Sequence, residues 1–189
     1  MTSSGPGASS SDSTASSFDL ESGALNNNGH FAGGGRLSWL HNWTPYNDLE
    51  VGVSGQSGDW DDASKYLFSA LVVDATLHVS PYFEARGEFL QTWLGTSDLG
   101  KLNPHGWWAQ GAYKLAGFNL DWPFINNLEA VFRYSTVNDD QGRRVHEYAP
   151  GLVYYITNQL QLKAAYFFRS SSDPELNRNL LELEMAYGF

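Results

Sequence analysis

The sequence predicts an all-β chain, the C-terminal part of an antiparallel transmembrane β-barrel, and three observations carry that prediction. Apolar and polar residues alternate with a period of two from His30 to the end of the chain. The alternating segments run to about 10–14 residues, above the globular mode and long enough for tilted strands to cross a hydrocarbon layer. Aromatic residues gather at two levels along those segments, as they do at the two interfaces of a membrane.

Residues 1–29 are rich in Ser, Gly and Asn and nearly free of aliphatic residues, so they bury too little apolar surface to order themselves and read as a flexible leader or the remnant of a loop. They also lack a basic start followed by an apolar stretch, so no signal peptide is legible there. Residues 30–189 read as barrel wall, with about nine strands at 30–43, 47–58, 66–79, 82–94, 105–120, 127–138, 146–156, 160–169 and 179–189. The first opens on glycines 33–35. In the third, Leu71, Val73, Ala75, Leu77 and Val79 alternate with Val72, Asp74, Thr76 and His78. In the fourth, Phe83, Ala85, Gly87, Phe89, Gln91 and Trp93 alternate with Glu84, Arg86, Glu88, Leu90 and Thr92. Leu128, Ala130, Phe132 and Tyr134 face away from Glu129, Val131, Arg133 and Ser135, and Leu160, Leu162, Ala164, Tyr166 and Phe168 from Gln161, Lys163, Ala165, Phe167 and Arg169. The last strand sets Leu181, Leu183, Met185, Tyr187 and Phe189 against Glu182, Glu184, Ala186 and Gly188. A helix would scatter these charges around a cylinder; a strand lines them along one face.

The links alternate too. Tight ones fall at Thr44–Tyr46, Ser80–Pro81 and Thr157–Gln159, with a modest one around Asp121–Asn126; longer polar ones fall at Asp59–Lys65, Gly95–Pro104, Asn138–Val145 and Ser170–Arg178. Outer-membrane barrels place short turns in the periplasm and long loops outside. On that orientation Trp39, Trp43, Tyr82, Phe83, Trp122, Phe124, Tyr154, Tyr155, Tyr187 and Phe189 form a belt near the turns. Tyr66, Phe68, Trp93, Trp107, Trp108, Tyr134, Tyr148, Tyr166 and Phe168 form a second belt near the loops.

Composition narrows the function. A formal net charge of -10 argues against a nucleic-acid partner, which needs a basic face. The absence of Cys removes thiol nucleophiles, zinc–thiolate sites and disulfides together. No apolar run reaches the roughly 18–20 residues of a membrane helix. The negative mean hydropathy does not speak against a barrel, because alternating faces average out.

The ending Leu181-Leu-Glu-Leu-Glu-Met-Ala-Tyr-Gly-Phe189 resembles the insertion signal of outer-membrane proteins, with Tyr187 and Phe189 as its aromatic positions. The resemblance implies recognition by the barrel assembly machinery through edge pairing. Gly106-Trp-Trp-Ala-Gln-Gly-Ala-Tyr113, Leu128-Glu-Ala-Val-Phe-Arg-Tyr134 with Asn138-Asp-Asp140, and Gly151–Lys163 are similar, in this order, to strands of the phosphate-selective porin O and P family. That resemblance covers residues 66–189 and implies a 16-stranded, homotrimeric, water-filled channel. Those porins carry an arginine and lysine ladder along the pore, and this chain departs from it. The inferred lumen face mixes Glu50, Asp74, Glu84, Glu88, Glu129, Glu182 and Glu184 with Arg36, Arg86, Lys114, Arg133, Lys163 and Arg169, which gives no strong anion preference.

The expected function is therefore a passive diffusion channel for small hydrophilic solutes in the bacterial outer membrane, with outer-membrane lipid and lipopolysaccharide around it. No catalytic residue, cofactor or metal is expected. Glu182 and Glu184 could form an acid–base pair, but lumen-lining charge explains them better. His30, His41, His78, His105 and His146 never fall at metal-ligand spacing. Counting back from a periplasmic C-terminus, nine strands would begin outside the cell, and bacterial barrels have even counts. About seven preceding strands, with 1–29 as the tail of a loop, would restore parity. Two rivals stand beside this reading. One is a complete eight-stranded anchor or adhesin barrel with 30–43 outside its wall. The other is a soluble Trp-rich carbohydrate-binding β-domain, whose apolar faces would have to pack against each other in a core.

Overall fold

A computed structural model describes residues 32–59, 65–96, 100–157 and 159–188; the leader 1–29 and Phe189 of the insertion signal lie outside the described residues. The chain forms β1 (Ala32–Thr44), β2 (Asn47–Asp59), β3 (Leu67–Val79), β4 (Phe83–Thr96), β5 (Gly100–Leu102), β6 (His105–Lys114), β7 (Leu128–Asn138), β8 (Arg144–Tyr155), β9 (Leu160–Ser171) and β10 (Leu180–Tyr187). All belong to one antiparallel sheet ordered β1-β2-β3-β4-β6-β7-β8-β9-β10, with β5 paired to the end of β4. Each strand therefore lies beside the next long one in the chain, an up-and-down meander. The sheet is open: among the described residues β1 and β10 each have one neighbour.

The first strand belongs to the wall. β1 pairs with β2 from Ala32↔Gly58 to Thr44↔Asn47, and β2 has β1 and β3 as its neighbours. This removes the arrangement in which 30–43 lies outside a closed eight-stranded barrel.

Three details correct the expected boundaries. The strand expected over 105–120 ends at Lys114, where Leu115–Phe118 winds into a single 3-10 turn and Asn119 takes a left-handed conformation at φ 52°. The rest of that link holds one helical turn at Pro123–Asn126, so the connection from Leu115 to Asn127 is much longer than expected on the short-turn side. Conversely, the link after β7 shrinks to Asp139–Arg143, because Asp139 closes it. Its carboxylate accepts from the backbone N–H groups of Gln141 (2.9 Å) and Arg143 (3.0 Å) and from the Arg143 side chain, while Asp140 (φ 62°) and Gly142 (φ 90°) supply the left-handed positions a tight reversal needs. Within the link expected at Gly95–Pro104, Gly100–Leu102 adds a short strand to β4.

Register decides which residues share a face, because directly opposed residues in an antiparallel pair point to the same side. Following the pairs from Arg36↔Ser54 through Asp74↔Glu88, Glu88↔Trp108, Trp108↔Ser135, Ser135↔Glu147 and Glu147↔Arg169 keeps one face throughout. Even positions of β1 to β6, odd positions of β7 to β9 and even positions of β10 form that face. It is concave: side chains from β2, β3, β4 and β6 to β10 line one cavity of about 860 Å³.

The burial pattern is inside-out. The buried apolar residues among those described are Ala112 and Ala149, and both lie on the concave, charged face. On the convex face Leu183 is 73% exposed, Met185 71%, Phe132 51% and Leu152 50%. A soluble domain would pack such residues into a core. Among the described residues they have no core to pack into, and the soluble carbohydrate-binding reading is not favoured.

Candidate pore wall on the concave face

The residues expected to line a lumen come together. Arg36, Glu50, Asp74, Glu84, Arg86, Glu88, Lys114, Glu129, Arg133, Lys163, Arg169, Glu182 and Glu184 all lie on the concave face by register. Most are engaged with a neighbour across the strands. Arg36 reaches Asp74 at 2.5 Å and Glu50 at 3.6 Å. Lys163 pairs with Glu184 at 3.1 Å, and Arg169 donates to Glu147 through Nε (3.0 Å) and Nη2 (2.6 Å). Near the short turns, His78 bridges two acids, with Nδ1 2.7 Å from Asp48 and Nε2 3.0 Å from Glu84, and Glu84 also pairs with Arg86. Tyr155 donates its hydroxyl to Glu129 at 3.0 Å, and Lys114 sits 6.0 Å from the centre of the Tyr155 ring.

Arg133 has a different partner. Its guanidinium stacks over Trp108 at 4.5 Å, and its Nε has no hydrogen-bond partner among the described residues, nor does Asp74 Oδ2. The contact holds the guanidinium over the Trp108 ring, beside a floor of small residues, among them Ala112, Val131, Ala149 and Gly151. Small residues keep that floor low, so the long charged side chains form the rim of the cavity.

Sequence reasoning missed Asp48, His78, Glu147, Trp108 and Tyr155 as members of this wall. The parity of each strand was the available signal: Asp48 lies two positions from Glu50 on β2, and His78 four from Asp74 on β3. The same parity divides the aromatics. Phe68, Trp108 and Tyr155 point to the concave side rather than into the belts assigned to them. Trp39, Trp43, Phe83, Tyr154 and Tyr187 point outward at the short-turn end, as do Trp93, Trp107, Tyr134, Tyr148, Tyr166 and Phe168 at the other.

These features combine a meandering wall of long strands, a charged concave side and an apolar convex side banded by aromatics. Among solved structures, OccAB3 of Acinetobacter baumannii, an outer-membrane porin of the OprD/Occ group, is similar over 84% of this chain and 48% of its own length, with a TM-score of 0.62 and 13% identity. The fold is that of an outer-membrane porin. The chain spans about half the length of OccAB3. No family model matches the chain, and no curated protein matches it. The resemblance to the phosphate-selective family therefore rests on the short motifs of β6, β7 and the β8–β9 hairpin alone.

Proposed function

We propose that residues 30–189 form part of the wall of an outer-membrane channel through which small hydrophilic solutes and ions diffuse passively. The inverted burial carries this reading: water-seeking groups gather on the concave side while apolar side chains stand exposed on the convex side. A lipid bilayer outside and a hydrated lumen inside satisfy both faces at once. Solutes would partition through the lumen at rates set by its width and wall charge. Because that wall carries both signs, mostly paired, each charge tunes selectivity weakly and phosphate has no dedicated ladder. The concave residues act through electrostatics, with no covalent chemistry and no cofactor assigned to them.

The surroundings follow from the same reading. Lipopolysaccharide and phospholipid cover the convex face, the barrel assembly machinery receives the β10 edge, and the complete protein assembles as a trimer. Planar-bilayer recording of the purified protein tests the channel. Stepwise conductance that scales with salt concentration supports it. Stable insertion into bilayers without conductance would sink the channel and leave an anchor.

A further inference from the structure

The convex face at the long-loop end of β6 to β9 holds a polar cluster that channel function does not use. Tyr134 is its hub. Its ring meets Trp107 edge-on at 5.1 Å, Tyr148 at 4.8 Å and the His146 ring at 6.2 Å, and its hydroxyl lies 2.8 Å from His146 Nδ1. With Nδ1 engaged, Nε2 is the ring nitrogen left to meet a ligand. Arg144 stands two residues along the same strand and points to the same side. Its backbone is pinned at the loop end, where its N–H donates to Ser172 Oγ (3.0 Å) and its carbonyl accepts from the Ser172 N–H (3.1 Å).

Arg144 is exposed and has no ion pair among the described residues, while Arg143 beside it is held by Asp139 and Arg169 on the other face by Glu147. The nearby Asp140 carboxylate is occupied by the Asn103 N–H at 2.8 Å. In a chain of net charge -10, an unpaired guanidinium beside a free imidazole nitrogen marks a place for an anion. Below them the same face continues over Tyr148 and Phe168, both exposed, toward the apolar belt. An anionic group above and hydrocarbon below is the pattern of an acylated phosphate lipid.

We propose that this patch is a binding site for the phosphorylated headgroup of a multiply acylated lipid, with the phosphate on Arg144 and His146 and an acyl chain along Tyr148 and Phe168. The site rests on the reading that the convex face meets the outer membrane. It adds to that reading a defined position and chemistry for one lipid. Aromatic side chains at the interface supply the flat walls, and the arginine supplies the charge.

The test is native mass spectrometry of the intact protein, refolded in zwitterionic detergent and offered diphosphorylated lipid A, the same lipid with its phosphates removed, or inorganic phosphate. We expect a one-to-one adduct with diphosphorylated lipid A, bound about tenfold more tightly than the dephosphorylated form, as loss of a charge-assisted contact implies. R144E and R144Q should both lose that preference, R144K should keep most of it, and inorganic phosphate should not compete. Equal binding of the two lipids, or undiminished preference in R144Q, overturns the site. So does inorganic phosphate binding as tightly as the lipid, which would assign the patch to a free anion. Heat-modifiable migration on the same samples separates the two levels. Wild-type protein that never folds in detergent or bilayers defeats the membrane reading, whereas folded protein without lipid preference defeats the headgroup site alone.

Discussion

Arg36 on β1 reaches across β2 to Asp74 on β3, 2.5 Å away, and passes directly over Gly52. A side chain at position 52 would occupy the space of both the Arg36 guanidinium and the Asp74 carboxylate. Glycine is required here by close approach rather than by backbone conformation. Gly52→Val should therefore displace the pair and destabilise the wall by about 1–3 kcal/mol through overpacking. Unfolding midpoints in urea, measured from lipid vesicles, would report it. Arg36→Gln should cost less, below about 1 kcal/mol, because the pair is partly exposed and screened. A Gly52→Val variant as stable as wild type would show that the pair does not lie over position 52.

The convex face makes an opposite prediction about charge. Phe132 lies at the centre of β7 and points outward, paired with Gly111 and Pro150. Phe132→Arg should cost about 2–4 kcal/mol, the range for a cation facing the bilayer midplane. Glu182→Gln on the concave side of β10 should stay within about 0.5 kcal/mol, as ordinary surface substitutions do. Comparing the two by vesicle unfolding tests the assignment of faces, and equal costs would refute it.

Ion selectivity should respond weakly and with a predictable sign. Arg133→Gln removes positive charge from the rim of the cavity and should shift the reversal potential under a salt gradient toward cations. Glu88→Gln should shift it toward anions. Each change in permeability ratio should stay below about twofold, since a wall charge facing water is screened within roughly 8–10 Å. Trp108→Ala should move selectivity as well, because the ring holds the Arg133 guanidinium in place. Trp108→Phe should preserve it.

The tight loop after β7 carries a pH signature. Desolvation works against the ionised Asp139 carboxylate, but the N–H of Gln141 and the side chain and N–H of Arg143 outweigh it and hold the carboxyl below its ordinary range. A depressed carboxyl contributes loop stability in full above its unfolded value and loses it as pH falls through the folded value. The protection of the Gln141 and Arg143 amides, taken as observed exchange relative to the intrinsic rate at each pH, should therefore fall on acidification below the usual carboxylate range. Asp139→Asn should show the lowered protection already at neutral pH.

Most of the wall was legible in the sequence because a strand with one apolar face and one charged face must alternate. Glu182, Glu184 and Leu183, Met185 are separated by nothing more than parity. The breaks in the pattern were harder to read. Leu115 to Phe118 continues apolar enough to pass for strand, and only the left-handed Asn119 and the packing of Phe118 on Tyr113 at 5.1 Å end it. The three-residue β5 is too short to show a period. The concave aromatics were misassigned because level along a strand was read without its side. Trp108 and Trp107 are neighbours in sequence and at the same height, yet one lies under an arginine inside and the other meets Tyr134 edge-on outside.

With Ala112 and Ala149 as the buried apolar residues among those described, the wall has almost no interior of its own. Two sets of positions interleave along every strand, and each answers to a different solvent. On the proposed reading, residues such as Phe132 and Leu183 hold the sheet in a membrane, and their chemistry is confined. Residues such as Glu88, Arg133 and Glu182 touch that requirement very little. The interior charge pattern can therefore drift, reverse or be redesigned position by position while the anchoring surface stays untouched. On that reading, a wall of this kind can change what it admits without changing how it is held.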